Sequence, residues 1–174
     1  MGNRNERGAP ERPQAVLAFS QHDHAACRGA ALAAAERVAA QRGARLTPVR
    51  RRALEILLEE HRALGAYELL ERLAAEGYGH QPPVAYRALD FLVEHGLAHR
   101  IRRLNAFAAC TCPDAEHAPA FLICRQCNAV AEVAAPRARE GLEVDAAALG
   151  FAPERVMIEA LGLCPACDGG EADR

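Results

Sequence analysis

Pro82-Pro-Val-Ala-Tyr-Arg-Ala-Leu-Asp-Phe-Leu92, followed by Leu97-Ala-His-Arg-Ile101 and Ala106-Phe-Ala-Ala109, is the stretch whose reading decides the fold. The paired prolines mark a helix start, because their fixed φ suits a first turn whose N–H groups have no partner. Gly96 marks the stop, so the helix runs from Pro82 to about His95. At about 100° per residue, Val84, Ala88, Leu89, Phe91, Leu92 and His95 share one broad arc, and Tyr86, Arg87, Asp90 and Glu94 take the other. Arg103-Leu-Asn105 then separates two short apolar runs, which predicts a hairpin across Leu97–Cys110.

Working outward, Ala25–Arg42 reads as a helix stopped by Gly43. Thr47 suits an N-cap and Pro48 a first helical turn, with Val49, Ala53, Ile56 and Leu57 following at helical spacing. A further helix runs from Ala66 to Glu76, with Leu69, Leu70 and Leu73 inward and Gly77 at its end. Short helices followed by a hairpin describe a winged helix-turn-helix. Beyond Cys110, Phe121–Ile123, Val130–Val133 and Val156–Glu159 are strand candidates, and a helix from Pro136 to Leu149 separates the second from the third. The expectation is an α+β chain: a disordered arm over 1–24, rich in Pro, Arg and Glu to residue 20; a winged-helix unit over 25–105; and a small α/β unit over 106–170.

Composition agrees. The 174 residues include 39 alanines and only 5 % aromatics, so the core is built from Leu, Val and Ala on helices. All 21 basic residues are Arg, which excludes Schiff-base lysines and a P-loop. Arg or Glu interrupts every apolar run short of the roughly 18 residues a membrane span needs, and Met1 to Pro13 has no apolar signal region. The chain is therefore expected in the cytoplasm, where the seven Cys are expected as metal ligands rather than disulfides. Charge is uneven: net +4 over 25–105 and net −6 over 106–174, so any nucleic-acid contact must come from a local patch.

That patch has candidates. Tyr86 and Arg87 lie in the first turn of the Pro82 helix, where base-reading side chains of such a unit sit. Arg bonds guanine bidentately, and a Tyr ring packs on a thymine methyl. Arg50, Arg51, Arg52, Arg100, Arg102 and Arg103 are candidates to grip phosphates. The bland reading is a solvated helix face, which Asp90 and Glu94 favour because they would repel phosphates.

Cys124-Arg-Gln-Cys127 and Cys164-Pro-Ala-Cys167 are two C-x-x-C knuckles separated by 36 residues. Four thiolates so paired suit a closed tetrahedral zinc, a structural site with no open position. His99, Cys110, His117 and Glu132 could form a second, mixed set spanning the hairpin and the later unit, or the histidines could be ordinary surface or packing residues; a metal there would set the angle between units. His22, His24 and Cys27 could hold a third ion near the chain start, or remain empty. Cys112 is an alternative ligand to Cys110 or a bystander.

From Arg45 to Cys167 the chain resembles the ferric uptake regulator family, in its zinc uptake regulator branch. The matching pieces are Arg45-Leu-Thr-Pro-Val-Arg50, Ala66-Tyr-Glu-Leu-Leu70, the Pro82–Leu92 run, His99 with Cys110, His117 ahead of the first knuckle, Glu132 and the second knuckle. The resemblance implies a dimeric repressor that occupies palindromic operator DNA of zinc-uptake genes when zinc-loaded and releases it when starved. It implies two zinc ions per protomer, one structural on the four paired Cys and one sensed by His99, Cys110, His117 and Glu132. It implies base reading by Tyr86 and Arg87, a dimerisation role for the 106–170 unit, and no small-molecule substrate other than the metal. Two departures stand out. Val84-Ala85 replaces the family's Thr-Val, and Asp114-Ala-Glu-His117 replaces the His-rich run of iron-sensing members. The second departure, with the Cys110 thiolate, argues against an iron or peroxide sensor. Outside the family, the rivals are a zinc hydrolase and a zinc-stabilised interaction adaptor. No H-E-x-x-H, G-x-S-x-G or Gly-rich phosphate loop supports the hydrolase.

Overall fold

A computed structural model of the chain describes residue 19 and residues 24–59, 62–113 and 119–169. Four helices come first: α1 (His24–Gln41), α2 (Pro48–Leu57), α3 (Ala66–Ala75) and α4 (Pro82–Glu94). The hairpin β1 (Ala98–Ile101) and β2 (Ala106–Ala109) follows, and then β3 (Pro119–Cys124), β4 (Val130–Ala134), α5 (Pro136–Ala148) and β5 (Ile158–Gly162). The expected α+β architecture is present.

Local chemistry accounts for the ends. Thr47 has the extended backbone of an N-cap, but its side chain makes no capping bond. The α2 start rests instead on Pro48 at the first turn, with Arg51 N–H donating to the Thr47 carbonyl at 2.9 Å. Helix α4 ends in a left-handed glycine: Gly96 has φ 66°, and N–H groups of Gly96 and Leu97 return to the carbonyls of Val93 and Leu92 at 3.1 and 2.7 Å. In the hairpin, Asn105 takes φ 47°, a conformation Asn tolerates better than most residues. Its N–H closes the turn on the Arg102 carbonyl at 3.1 Å, and its side chain accepts from Arg100 at 2.9 Å.

The main core joins the apolar faces of α1 to α4 with Leu97, Ala98 and Phe107 of the hairpin region. Leu54, Ile56, Leu69, Leu73, Leu89 and Leu92 are fully buried in it, as the helical spacing of α2, α3 and α4 requires. Phe107 and Leu64 exchange two backbone bonds of 2.8 Å, so the α2–α3 connection adds a one-residue third strand to the wing.

The second sheet has the order β4-β3-β5, with β3 antiparallel to β4 and parallel to β5. Strand β5 begins at Ile158 rather than Val156, because its limits follow the register Ala120↔Ile158 to Cys124↔Gly162 on β3 and not its own apolar pattern. The expected division at 105/106 falls in the hairpin turn, so β2 lies past it while pairing with β1 from Ala98↔Ala109 to Ile101↔Ala106. A second apolar cluster straddles that division: Ala63, Ile101 and Ala106 pack with Phe121, Ile123 and Val130.

Leu89→Ala should lower stability by about 2–5 kcal/mol, because a fully buried side chain leaves a cavity that the helices around it fill only partly. A urea unfolding midpoint shifted down at constant slope is the expected result.

Candidate metal centres and nucleic-acid interface

Parallel pairing of β3 and β5 puts their carboxyl ends side by side, and each end leads into a C-x-x-C turn. Arg125 N–H donates to the Gly162 carbonyl at 2.9 Å and ties the two turns together. Asn128 closes the first knuckle in the left-handed region, φ 59°, and Cys167 and Asp168 N–H groups fold the second back onto the Cys164 carbonyl at 2.9 Å. The four sulfurs of Cys124, Cys127, Cys164 and Cys167 lie within 4.8 Å of one another, with Cys127 and Cys164 at 3.8 Å. Zinc–sulfur bonds of about 2.3 Å in a tetrahedron set sulfurs roughly 3.8 Å apart, so the cluster fits the ion. Backbone N–H groups of Cys127 and Cys164 hold the Cys124 thiol below its ordinary range, whereas bonds to the Cys164 and Cys127 side chains push Cys167 up. Four thiolates this close repel one another, and a cation offsets that charge.

His99 on β1, Cys110 just after β2 and Glu132 on β4 also place their ligand atoms within 4.8 Å of one another. Glu132 Oε1 lies 3.3 Å from His99 Nε2 and 3.8 Å from Cys110 Sγ. The other oxygen accepts from the Thr111 N–H at 2.9 Å and the Thr111 hydroxyl at 3.0 Å. Glu132 is a buried carboxylate, 8 % exposed. Burial first, and then the Glu132 charge, push the Cys110 thiol well above its ordinary range. A buried carboxyl beside a thiol and an imidazole is a donor set that a borderline-soft cation such as zinc satisfies.

Three of the four ligands expected for the mixed site thus converge; His117 lies outside the described residues, as does His22. Cys27 is half-buried in the first turn of α1, with its thiol pushed up by burial, and the His24 side chain is outside the description. Cys112 is not part of the mixed cluster. Thr111 escaped the sequence reading, since its role depends on Glu132, far away in the chain.

On α4, Tyr86 is 43 % exposed and Arg87 is exposed, while Ala85, Ala88, Leu89, Phe91 and Leu92 are buried. Arg102 and Arg103 are exposed at the wing turn. The α2 arginines are already engaged. Arg50 stacks on the Phe91 ring at 3.7 Å and donates to the Arg45 carbonyl at 3.0 Å. Arg51 pairs with Glu36 of α1 at 2.8 Å and with Glu55 at 2.9 Å. Arg52 is bound by Glu76 at 2.6 Å and Glu59 at 3.0 Å, and the bond from Arg52 lowers the Glu76 carboxyl below its ordinary value.

The model of the ferric uptake regulator family matches residues 41–160. The chain belongs to the ferric uptake regulator family. Among its relatives in that family, the zinc uptake regulation protein of Escherichia coli (strain K12) is 41 % identical over 144 residues, 82 % of this chain and 84 % of that one. A solved zinc uptake regulator complexed with zinc and DNA superposes with a TM-score of 0.77 at 39 % identity, covering 84 % of this chain and 98 % of that chain. The holo form of XcZur gives a TM-score of 0.70 at 36 % identity over 84 % of this chain and 99 % of that chain. No helix among the described residues of this family member is long and apolar enough to cross a membrane.

Cys164→Ser should retain no tightly held metal on the knuckles and should melt at a lower temperature than the parent. The binding energy of a closed site formed only in the folded chain is folding energy. Metal analysis of the purified protein, together with a thermal melt, checks this.

Proposed function

We propose that the chain is a zinc-responsive transcriptional repressor that, when zinc-loaded, binds palindromic operator DNA as a homodimer and controls zinc-uptake genes. The observation that carries this reading is the His99–Cys110–Glu132 cluster, with Cys110 and Glu132 buried and His99 half-buried, whose members come from the wing, its exit and the β4 strand. A ligand set divided between a winged-helix unit and a second sheet couples metal occupancy to their relative position. That is what a sensor requires. His117 completes the set as fourth ligand, and Cys124, Cys127, Cys164 and Cys167 hold a structural ion, two zinc ions per protomer in all.

In this reading residues 25–105 are the winged-helix unit and 106–170 the metal-binding dimerisation unit, after an arm over residues 1–24, with β2 of the second unit pairing back onto β1. Exposed Leu142, Val144, Leu149 and Phe151, on α5 and just after it, support a second copy as partner. Tyr86 and Arg87 read bases. The phosphate grip falls to Arg102, Arg103 and Arg50, whose partner groups are a ring and a carbonyl rather than a carboxylate. Arg51, tied to two glutamates, contributes less than its position on α2 suggests. The protein acts in the cytoplasm and is not an enzyme: with four protein ligands each, neither site has a position for a reacting water. A thiolate in the mixed set favours zinc over an iron-sensing role.

The test uses DNA selected from a random pool by the zinc-loaded dimer, with affinity measured in zinc and in chelator over a range of salt. Operator binding that needs zinc, and a preference over random DNA that survives added salt, is the expected result. Arg87→Ala should cost about 1–3 kcal/mol of that preference, roughly 5- to 150-fold, with zinc content unchanged. Cys110→Ser should fold, dimerise and keep the knuckle metal, yet bind the selected DNA no better in zinc than in chelator. A parent protein indifferent to zinc would overturn the reading.

A further inference from the structure

Phe121 on β3 is in register with Glu132 on β4 and with Glu159 on β5, so one row across the sheet reads Glu132, Phe121, Glu159. Residues in direct register project from the same face, and here that face meets the wing. The Phe121 ring lies 5.2 Å from the His99 ring at the middle of the row. At one end Glu132 reaches Cys110 and Thr111, at the open end of the hairpin. At the other end Glu159 reaches the tip: its Oε1 accepts from the Arg102 N–H at 2.7 Å and its Oε2 from the Arg103 N–H at 3.0 Å. The hairpin thus lies across the whole sheet and is gripped at both ends by carboxylates of one row.

We propose that Glu159 is a latch that fixes the wing tip to β5 without metal, and that it acts as a positioning residue for the α4 helix. The two ends differ in chemistry. Glu132 belongs to the metal-ligand cluster, so its grip changes with metal occupancy. Glu159 holds two consecutive main-chain amides, charge-assisted bonds that need no ion. The effect reaches α4 because Leu97, Ala98 and Phe107 of the hairpin share one core with Leu89 and Leu92, and close packing passes a shift of the wing on to the helix. Glu159 also occupies the Arg102 and Arg103 amides, which leaves the exposed side chains of Arg100, Arg102 and Arg103 to meet a phosphate backbone.

The consequence for DNA rests on the regulator reading, whereas the contact itself does not. Two measurements separate them. In the metal-free, full-length protein, amide exchange at Arg102 and Arg103 should be slow in the parent and at least about tenfold faster in Glu159→Ala, but unchanged in Cys110→Ser. With the DNA selected above, Glu159→Ala should bind about tenfold more weakly and need more zinc to reach half occupancy, at unchanged knuckle metal and unfolding midpoint. Glu159→Asp, one methylene short, should resemble Ala. A merely structural role would lower the midpoint without moving the zinc dose. Equal amide exchange in parent and Glu159→Ala overturns the latch, and so does faster exchange with unchanged operator affinity and zinc dose. A parent that shows no zinc-dependent DNA binding, while its tip amides lose protection in Glu159→Ala, overturns the regulator reading and leaves the latch standing.

Discussion

Parallel pairing of β3 with β5 is the constraint on which the rest of the molecule depends. Parallel strands need a long connection, and here β4 and α5 together supply it. The pairing aligns two carboxyl ends, so two turns 36 residues apart in sequence present four thiols to one point. The same register sets Glu159 beside Phe121. An antiparallel arrangement of the same strands would send the knuckles to opposite ends of the sheet and remove Glu159 from the wing.

Above that sheet, its contact with the hairpin combines three kinds of physics. Apolar burial joins Ile101 and Ala106 to Phe121, Ile123 and Val130 and is indifferent to metal. Hydrogen bonds from the wing amides to Glu159 are directional and set the lie of the tip. The His99–Cys110–Glu132 cluster is conditional: a buried carboxylate and a proton-holding thiol sit together at a cost that a cation relieves. Fixed contacts beside one conditional contact form an interface that a single ion can bias without having to build it.

Function and frame also divide along α2. Three consecutive arginines there look alike in sequence, yet Arg51 and Arg52 bind α1, α2 and the residue that caps α3 through glutamates, whereas Arg50 lies against the α4 ring of Phe91. Partially exposed pairs of this kind contribute little individually and matter as a network that orients the helices. The cost is positive charge that is no longer fully available to phosphates.

How much was legible in the sequence follows from the range of each interaction. Helix faces, glycine stops, the Asn105 turn and the two knuckles depend on residues within a few positions of one another, so period, φ preference and ligand spacing specified them. The α4 arc separates Tyr86 and Arg87 from Leu89 and Leu92 as its spacing requires. The start of β5, the strand added at Leu64, the Thr111 bonds to Glu132, the pairing of Arg51 with Glu36 and of Arg52 with Glu76, and the grip of Glu159 on the wing join residues from 15 to 57 positions apart. Those pairings depend on which strand lies beside which and in what register, a choice made by the burial of whole faces against each other. Short-range chemistry therefore determined what the elements are and marked the two knuckles as metal-binding, and only the packed tertiary structure decided which elements meet and brought His99, Cys110 and Glu132 together.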